Sequence, residues 1–196
     1  MKVIGICGST GSGKSSLCDL LSRRGYPVLD CDWIYHDLVN SPSPCLTEIA
    51  ETFGSDLILD GKLDRKSLGR IVFASSEKLA LLNQISHKYV LLEIEKDIEK
   101  LKEKGASHCF IDAPMLFEAG LEKICDYVCG VISDKEEQIK RVCKRDQITR
   151  EEAMKRILNQ TPVEVLREKC DFIIENTGSL DDFQACCENF FEKINL

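Results

Sequence analysis

The residues best placed to do chemistry lie in one short run near the start of the chain, Gly8-Ser9-Thr10-Gly11-Ser12-Gly13-Lys14-Ser15, with the spacing G-x-x-x-x-G-K-S. Glycines at these positions let successive backbone N–H groups turn inward around an anion rich in oxygens. A helix that opens at the end of the run adds the partial positive charge of its N-terminus. Lys14 can then reach the outer phosphates of a polyphosphate, and the Ser15 hydroxyl can ligate Mg²⁺. The pattern carries this meaning only between a strand and a helix. Val3-Ile4-Gly5-Ile6-Cys7 before it and Leu17, Leu20 and Leu21 after it supply that context.

Two acidic positions follow other apolar runs. Asp30-Cys31-Asp32 comes after Pro27-Val28-Leu29, at the carboxyl end of a predicted strand, which is where ligands sit in open α/β sheets. A carboxylate there can accept a hydrogen bond from a hydroxyl nucleophile, or hold Mg²⁺ through water. Either role needs one acid, and extended alternation places both on the same face. The alternative has Asp32 as N-cap of a helix starting at Trp33, which does not exclude catalysis. Ile111-Asp112-Ala113-Pro114 presents a second strand-closing acid, placed either to assist a metal or simply to form a turn. His36, His87 and His108 are scattered and offer no metal-ligand spacing.

Positive charge is concentrated in one place. Between residues 135 and 160 eight Lys and Arg face five Asp and Glu, although the whole chain carries a net charge of −7. Arg141 and Arg145 are i,i+4 neighbours, as are Lys140 and Lys144, and like charges at that spacing cost a few tenths of a kcal/mol unless an anion binds between them. Ser133-Asp134-Lys135-Glu136 and Thr149-Arg150-Glu151-Glu152 both read as capping boxes, so two helices meet near residues 146–149. The hairpin is either a solvated charged pair of helices or an arginine-bearing lid over phosphates.

The elements that must position these groups follow from periodicity. Strand-like apolar runs at 2–7, 27–31, 108–112, 127–132 and 171–175 alternate with amphipathic helical segments, so the fold class is α/β with a parallel sheet of about five strands. Long helical material from Leu79 to Leu101 stops at Gly105, and Asp60-Gly61 reads as a turn. At 196 residues and 43% apolar content the chain has enough core for one α/β domain with insertions. The acidic balance argues against a nucleic-acid surface. No run reaches membrane-spanning length and no signal peptide is evident, so a cytoplasmic location is expected, with the eleven cysteines reduced. The cysteines read mainly as small buried residues; the Cys125/Cys129 and Cys186/Cys187 pairs have no local support for redox chemistry. No oligomeric state is implied.

Taken in order, these elements resemble the dephospho-coenzyme A kinases. The likeness runs through Gly8 to Ser16, Val28-Leu29-Asp30-Cys31-Asp32, Phe53-Gly54 and Asp60-Gly61-Lys62-Leu63-Asp64-Arg65. It continues through Val72-Phe73, Ile85-Ser86-His87, Asp112 to Glu118, Gln138 to Arg141, Arg145, Gln160 and Asn176-Thr177-Gly178. The resemblance implies a P-loop NTPase three-layer sandwich, with 1–32, 106–132 and 169–196 as core, 33–105 as a helical acceptor-binding region and 133–168 as a lid. It implies transfer of the γ-phosphoryl group of ATP, with Mg²⁺, to the ribose 3′-hydroxyl of dephospho-CoA. By position, Asp32, Lys14, Arg141 and Arg145 resemble the family's catalytic residues. Gly8, Gly11, Ser12, Gly13, Lys14, Ser15, Ser16 and Asn176 resemble its ATP contacts, with Ser15 also at the metal. Asp32, Arg65 and His87 resemble its acceptor contacts. His87-Lys88 departs from the family's usual His-Pro, so the helix start there is expected to differ. Cys31 stands where Ala is frequent, and its thiol is a candidate for oxidation. Another small-molecule kinase on this scaffold, or a nucleotide-dependent switch, remains open on the loop and hairpin alone.

Overall fold

The computed structural model describes residues 1–196. In chain order its elements are β1 (Lys2–Cys7), α1 (Lys14–Arg23), β2 (Val28–Asp30), α2 (Cys31–Asn40), α3 (Pro44–Phe53), β3 (Ile58–Leu59), β4 (Lys62–Leu63), α4 (Arg65–Val72) and α5 (Ser76–Glu103). They continue with β5 (His108–Asp112), β6 (Tyr127–Ile132), α6 (Lys135–Asp146), α7 (Arg150–Leu158), α8 (Val163–Lys169), β7 (Phe172–Glu175) and α9 (Leu180–Lys193). Contacts divide the chain into two units, Met1–Val28 with Ala106–Leu196, and Leu29–Gly105.

The first unit is organised by a sheet of order β2-β5-β1-β6-β7, in which β2 is the edge strand and the division between units falls within it. β1 pairs in parallel with β5 on one side and β6 on the other, and β6 pairs in parallel with β7. Val3 to Cys7 are buried without alternation because helices cover both faces of a parallel sheet, which is why the strand reads as an unbroken apolar run. Ile4, Ile6, Phe110, Val131 and Ile174 of the strands pack with Leu17 and Leu21 of α1 and with Phe183, Phe190 and Phe191 of α9. Each such side chain stabilises the fold by about 1.5–3 kcal/mol on burial. Register then decides what stands beside the loop after β1. Ile6 lies opposite Asp112, so the last residue of β5 is level with the point where the chain leaves the sheet. Cys7 lies opposite Gly130.

Helices α6 and α7 form a hairpin around Ile139, Val142 and Ala153. Thr149 makes the expected capping box with Glu152. Ser133 does not cap α6: Asp134 holds the N-cap position, and the Ser133 hydroxyl donates instead to the carbonyl of Asn176 at 2.6 Å.

The second unit is helical apart from one hairpin. β3 and β4 turn at Asp60-Gly61, both with positive φ (51° and 75°), the pattern of a tight two-residue connection. Helices α2, α3 and α4 pack along α5 over Ile34, Leu38, Ile49, Leu68, Ile85 and Ile94. Ser75 caps α5, and Gly105 beyond its last turn takes φ 75°. Lys88 lies well inside this 28-residue helix, which runs through the position where the family's proline suggested a start.

Candidate active site

The loop between β1 and α1 adopts a path that only glycine allows. Gly11 and Gly13 have φ of 77° and 108°, and a Cβ on Gly13 would press on Nδ2 of Asn176. A Cβ on Gly11 would lie 2.8 Å from the carbonyl oxygen of Gln138. Gly13 is the N-cap of α1 and offers no side-chain acceptor. The amides of Ser16 and Leu17 bond back to the Gly13 carbonyl, at 3.0 and 3.2 Å, and no side chain caps those of Lys14 and Ser15, a helix N-terminus of the kind at which anions bind. Ser15 and Ser16 are exposed on that first turn, whereas Ser12 is fully buried and its Oγ has no partner.

Neighbouring elements fix the loop from several sides. Asn176, just after β7, donates from Nδ2 to the carbonyl of Ser12 at 2.8 Å. Gln160 Oε1, between α7 and α8, accepts from the amide of Thr10 at 2.7 Å. Arg141 of α6 donates to the Gly11 carbonyl at 3.2 Å, to Ser133 Oγ at 3.3 Å, and to the Asn176 carbonyl and Oδ1 at 3.4 Å each. All its acceptors are neutral, so its charge is not spent on an ion pair. Arg145, one turn further on, donates to Thr10 Oγ1 at 3.2 Å and pairs with Asp146. Asp146 also accepts from Arg156 at 2.7 Å. The hydrogen bond from Arg145, aided by both guanidinium charges, holds the Asp146 carboxyl below its usual range, and the same bond raises Arg145. Lys14 is ion-paired with Asp112, both side chains being mostly buried.

The structure therefore brings Gly8, Gly11, Ser12, Gly13, Lys14, Arg141, Arg145 and Asn176 together around one loop, with Asp112 as the counterion of the lysine. Gln160, Ser133 and Asp146 were not singled out as site residues by sequence reasoning. Thr10 and Gln160 are 150 positions apart, a separation at which no spacing pattern links residues.

The second unit carries the remaining candidates. Asp30, not Asp32, is the N-cap of α2, its carboxylate accepting from the amide of Trp33 at 3.0 Å. The helix begins at Cys31, so extended alternation does not reach Asp32, which sits exposed in the first helical turn. The two acids are thus separated by a helix start rather than aligned on a strand. Arg65 opens α4 behind the Asp64 cap, and its charge partly offsets the burial that raises the Tyr35 phenol. His87 is half-buried on α5. Next to it, Lys88 and Tyr89 both donate to Glu48 of α3, at 2.7 and 2.6 Å, and these bonds lower the Glu48 carboxyl. Lys88 thus ties α5 to α3 where a proline could not.

Comparison with known proteins bears on what this loop serves. Residues 2–182 match a family model described as dephospho-CoA kinase. The chain is 38% identical over 193 residues to the dephospho-CoA kinase of Enterococcus faecalis, covering 98% of this chain and 96% of the relative. Among solved structures, a Thermus thermophilus protein superposes with a TM-score of 0.82 at 33% identity, covering 98% and 97% of the two chains. The dephospho-CoA kinase of Campylobacter jejuni gives 0.74 at 29% identity, covering 99% and 98%.

Proposed function

The chain belongs to the dephospho-CoA kinase family, and on that premise we propose that it transfers the γ-phosphoryl group of ATP to the ribose 3′-hydroxyl of dephospho-CoA, giving CoA and ADP. The observation that supports the donor half is the glycine loop opening onto the N-terminus of α1, with the unpaired charge of Arg141 against its backbone.

Phosphoryl transfer asks the protein chiefly for position and charge. The loop amides and Lys14 take the phosphate oxygens of ATP. Lys14 exchanges Asp112 for phosphate as the nucleotide enters, a substitution of one anion for another that avoids leaving a buried ammonium alone. Arg141 and Arg145 stabilise the charge that spreads over the transferring group. Residues 133–168 act as the lid, and 33–105 bind the acceptor through Arg65 and His87. Asp32 accepts the hydrogen bond of the 3′-hydroxyl and orients it for in-line attack; its support is the family correspondence and its exposed place in the first turn of α2.

Mg²⁺ fits the donor set. Its preferred ligands are oxygens, and the Ser15 hydroxyl on the first turn of α1 and the Asp112 carboxylate paired with Lys14 are both oxygen donors at the loop. Ser15, with Asp112 once Lys14 has left it, would hold the ion, which neutralises phosphate charge when bound. A cytoplasmic location is part of the same reading, since a chain with eleven cysteines and a kinase's nucleotide substrates suits a reducing compartment. No helix is long and apolar enough to cross a membrane.

The test is an acceptor screen with the purified protein. ADP formation should require both dephospho-CoA and Mg²⁺. Equal turnover with adenosine or a nucleoside monophosphate would overturn the acceptor, and acceptor-independent hydrolysis tuned by a protein partner would favour a switch.

A further inference from the structure

Cys7 is the last residue of β1, immediately before Gly8, and is only 1% exposed. Its register partner Gly130 has no side chain, and a Cβ there would lie 2.9 Å from Cys170 Sγ. The Cys170 thiol occupies that space and comes within 3.6 Å of Cys7 Sγ. Cys170 is the C-cap of α8 and is half-buried, so a small oxidant can reach it while Cys7 stays enclosed. The hydrogen bond from Cys7 holds Cys170 below the usual thiol range, and the same bond together with burial pushes Cys7 up. The more exposed sulfur, that of Cys170, is therefore the one placed to meet an oxidant first.

We propose that Cys7 and Cys170 form a reversible disulfide that loosens the grip of the loop at Gly8 on its nucleotide. The oxidant is a hydroperoxide. The Cys170 thiolate attacks one peroxide oxygen, the O–O bond breaks, and Cys170 becomes a sulfenic acid with release of hydroxide. The Cys7 sulfur then attacks the sulfenic sulfur, the S–O bond breaks, and water leaves with the Cys7 proton. The proton first lost from Cys170 neutralises the hydroxide. Two thiols are oxidised by two electrons and one hydrogen peroxide becomes two waters; a dithiol reverses the change.

The disulfide acts on the loop through distance. A disulfide closes to about 2.05 Å, so the sulfurs must approach from 3.6 Å. Cys7 is held in the central strand, and the movement falls on Cys170, α8 and the segment before it. That segment carries Gln160, whose side chain holds the amide of Thr10. Misplacing binding groups by about 1 Å can cost up to about 100-fold in function; about tenfold weaker ATP binding is expected here.

The full-length protein is treated with hydrogen peroxide, alkylated and digested, and the peptides containing Cys7 and Cys170 are mapped by mass spectrometry while ATP affinity is measured by titration. The expected result is a linked peptide pair, about tenfold weaker ATP binding, and recovery with dithiothreitol. Cys170→Ser, or Cys170→Ala if the serine variant folds poorly, should bind ATP equally before and after peroxide. Failure of the linkage to form while exposed Cys186 oxidises would overturn the proposal, as would linkage with unchanged ATP affinity. Protection by Cys31→Ala rather than by the Cys170 variants would move the sensitivity to the other cysteine. The affinity arm rests on the loop being the nucleotide site. Reduced protein that binds no ATP would sink that reading and the coupling with it, and the mapped linkage stands or falls separately.

Discussion

Gly13 and Gly25 stand at the two ends of α1, both with positive φ (108° and 86°), and replacing each with alanine separates backbone strain from close approach. An alanine forced into such a conformation costs about 1–3 kcal/mol at either site. At Gly25 nothing lies within 4 Å of the added methyl, so strain is the whole effect. At Gly13 the methyl meets Nδ2 of Asn176, which must leave its 2.8 Å bond to the Ser12 carbonyl. Losing that bond adds about 0.5–1.5 kcal/mol. Disturbing Asn176 also loosens its carbonyl and Oδ1 contacts with Arg141. Gly13→Ala should therefore be less stable than Gly25→Ala by about 1–2 kcal/mol, a difference of roughly 0.5–1 M in urea midpoint at a slope near 2 kcal/mol/M. ATP affinity should fall in Gly13→Ala and hold in Gly25→Ala. Urea unfolding followed by circular dichroism, with ATP titration of each folded variant, measures both. Equal midpoints together with equal ATP binding would refute the claim that the loop is held by close packing on Asn176.

Asp32→Asn should lower turnover by about 10²–10⁴-fold with ATP affinity little changed, since a neutral amide orients the hydroxyl poorly; near-normal turnover removes Asp32 from the mechanism. Arg145→Ala should cost about 10²-fold or more in kcat. Arg156→Ala should cost less than about threefold, because Asp146 keeps Arg145 when its outer partner is gone; matched losses in the two variants would remove Arg145 as a phosphate clamp. The Asp64 carboxyl is held below its ordinary value of 3.8, first by the hydroxyl of Ser67 and then by the amides that it caps. A lowered folded-state value means that its stabilisation is complete above 3.8 and disappears as pH falls through the lowered value. The stability gap between wild type and Asp64→Ala should narrow on acidification in that window, and a gap that stays constant there would count against the cap.

The strands of the sheet were legible because parallel strands buried on both faces read as unbroken apolar runs, and β1, β5 and β6 begin and end where those runs do. The start of α2 was not legible. Asp30 and Asp32 have the same side chain two positions apart, and which one captures an amide depends on where the backbone leaves the edge strand. Ser133 shows the same limit: four residues satisfied the capping pattern, yet its hydroxyl is used 43 positions away on Asn176. Local pattern names what a side chain can do, and tertiary competition selects which of those bonds is made.

Charge on α6 carries that argument into the site. Arg141 and Arg145 repel at i,i+4, and the sequence left open whether solvent or a ligand relieves the cost. The structure divides the pair. Arg145 spends its charge on Asp146, whereas Arg141 donates only to carbonyls, an amide oxygen and a hydroxyl. Lys14, the other cation at the loop, is already matched by Asp112. An arriving polyphosphate must displace a carboxylate to reach Lys14 and none to reach Arg141. On the proposed reading of the loop as the phosphate site, Arg141 can therefore meet a phosphate without first giving up an anionic partner, and Lys14 cannot.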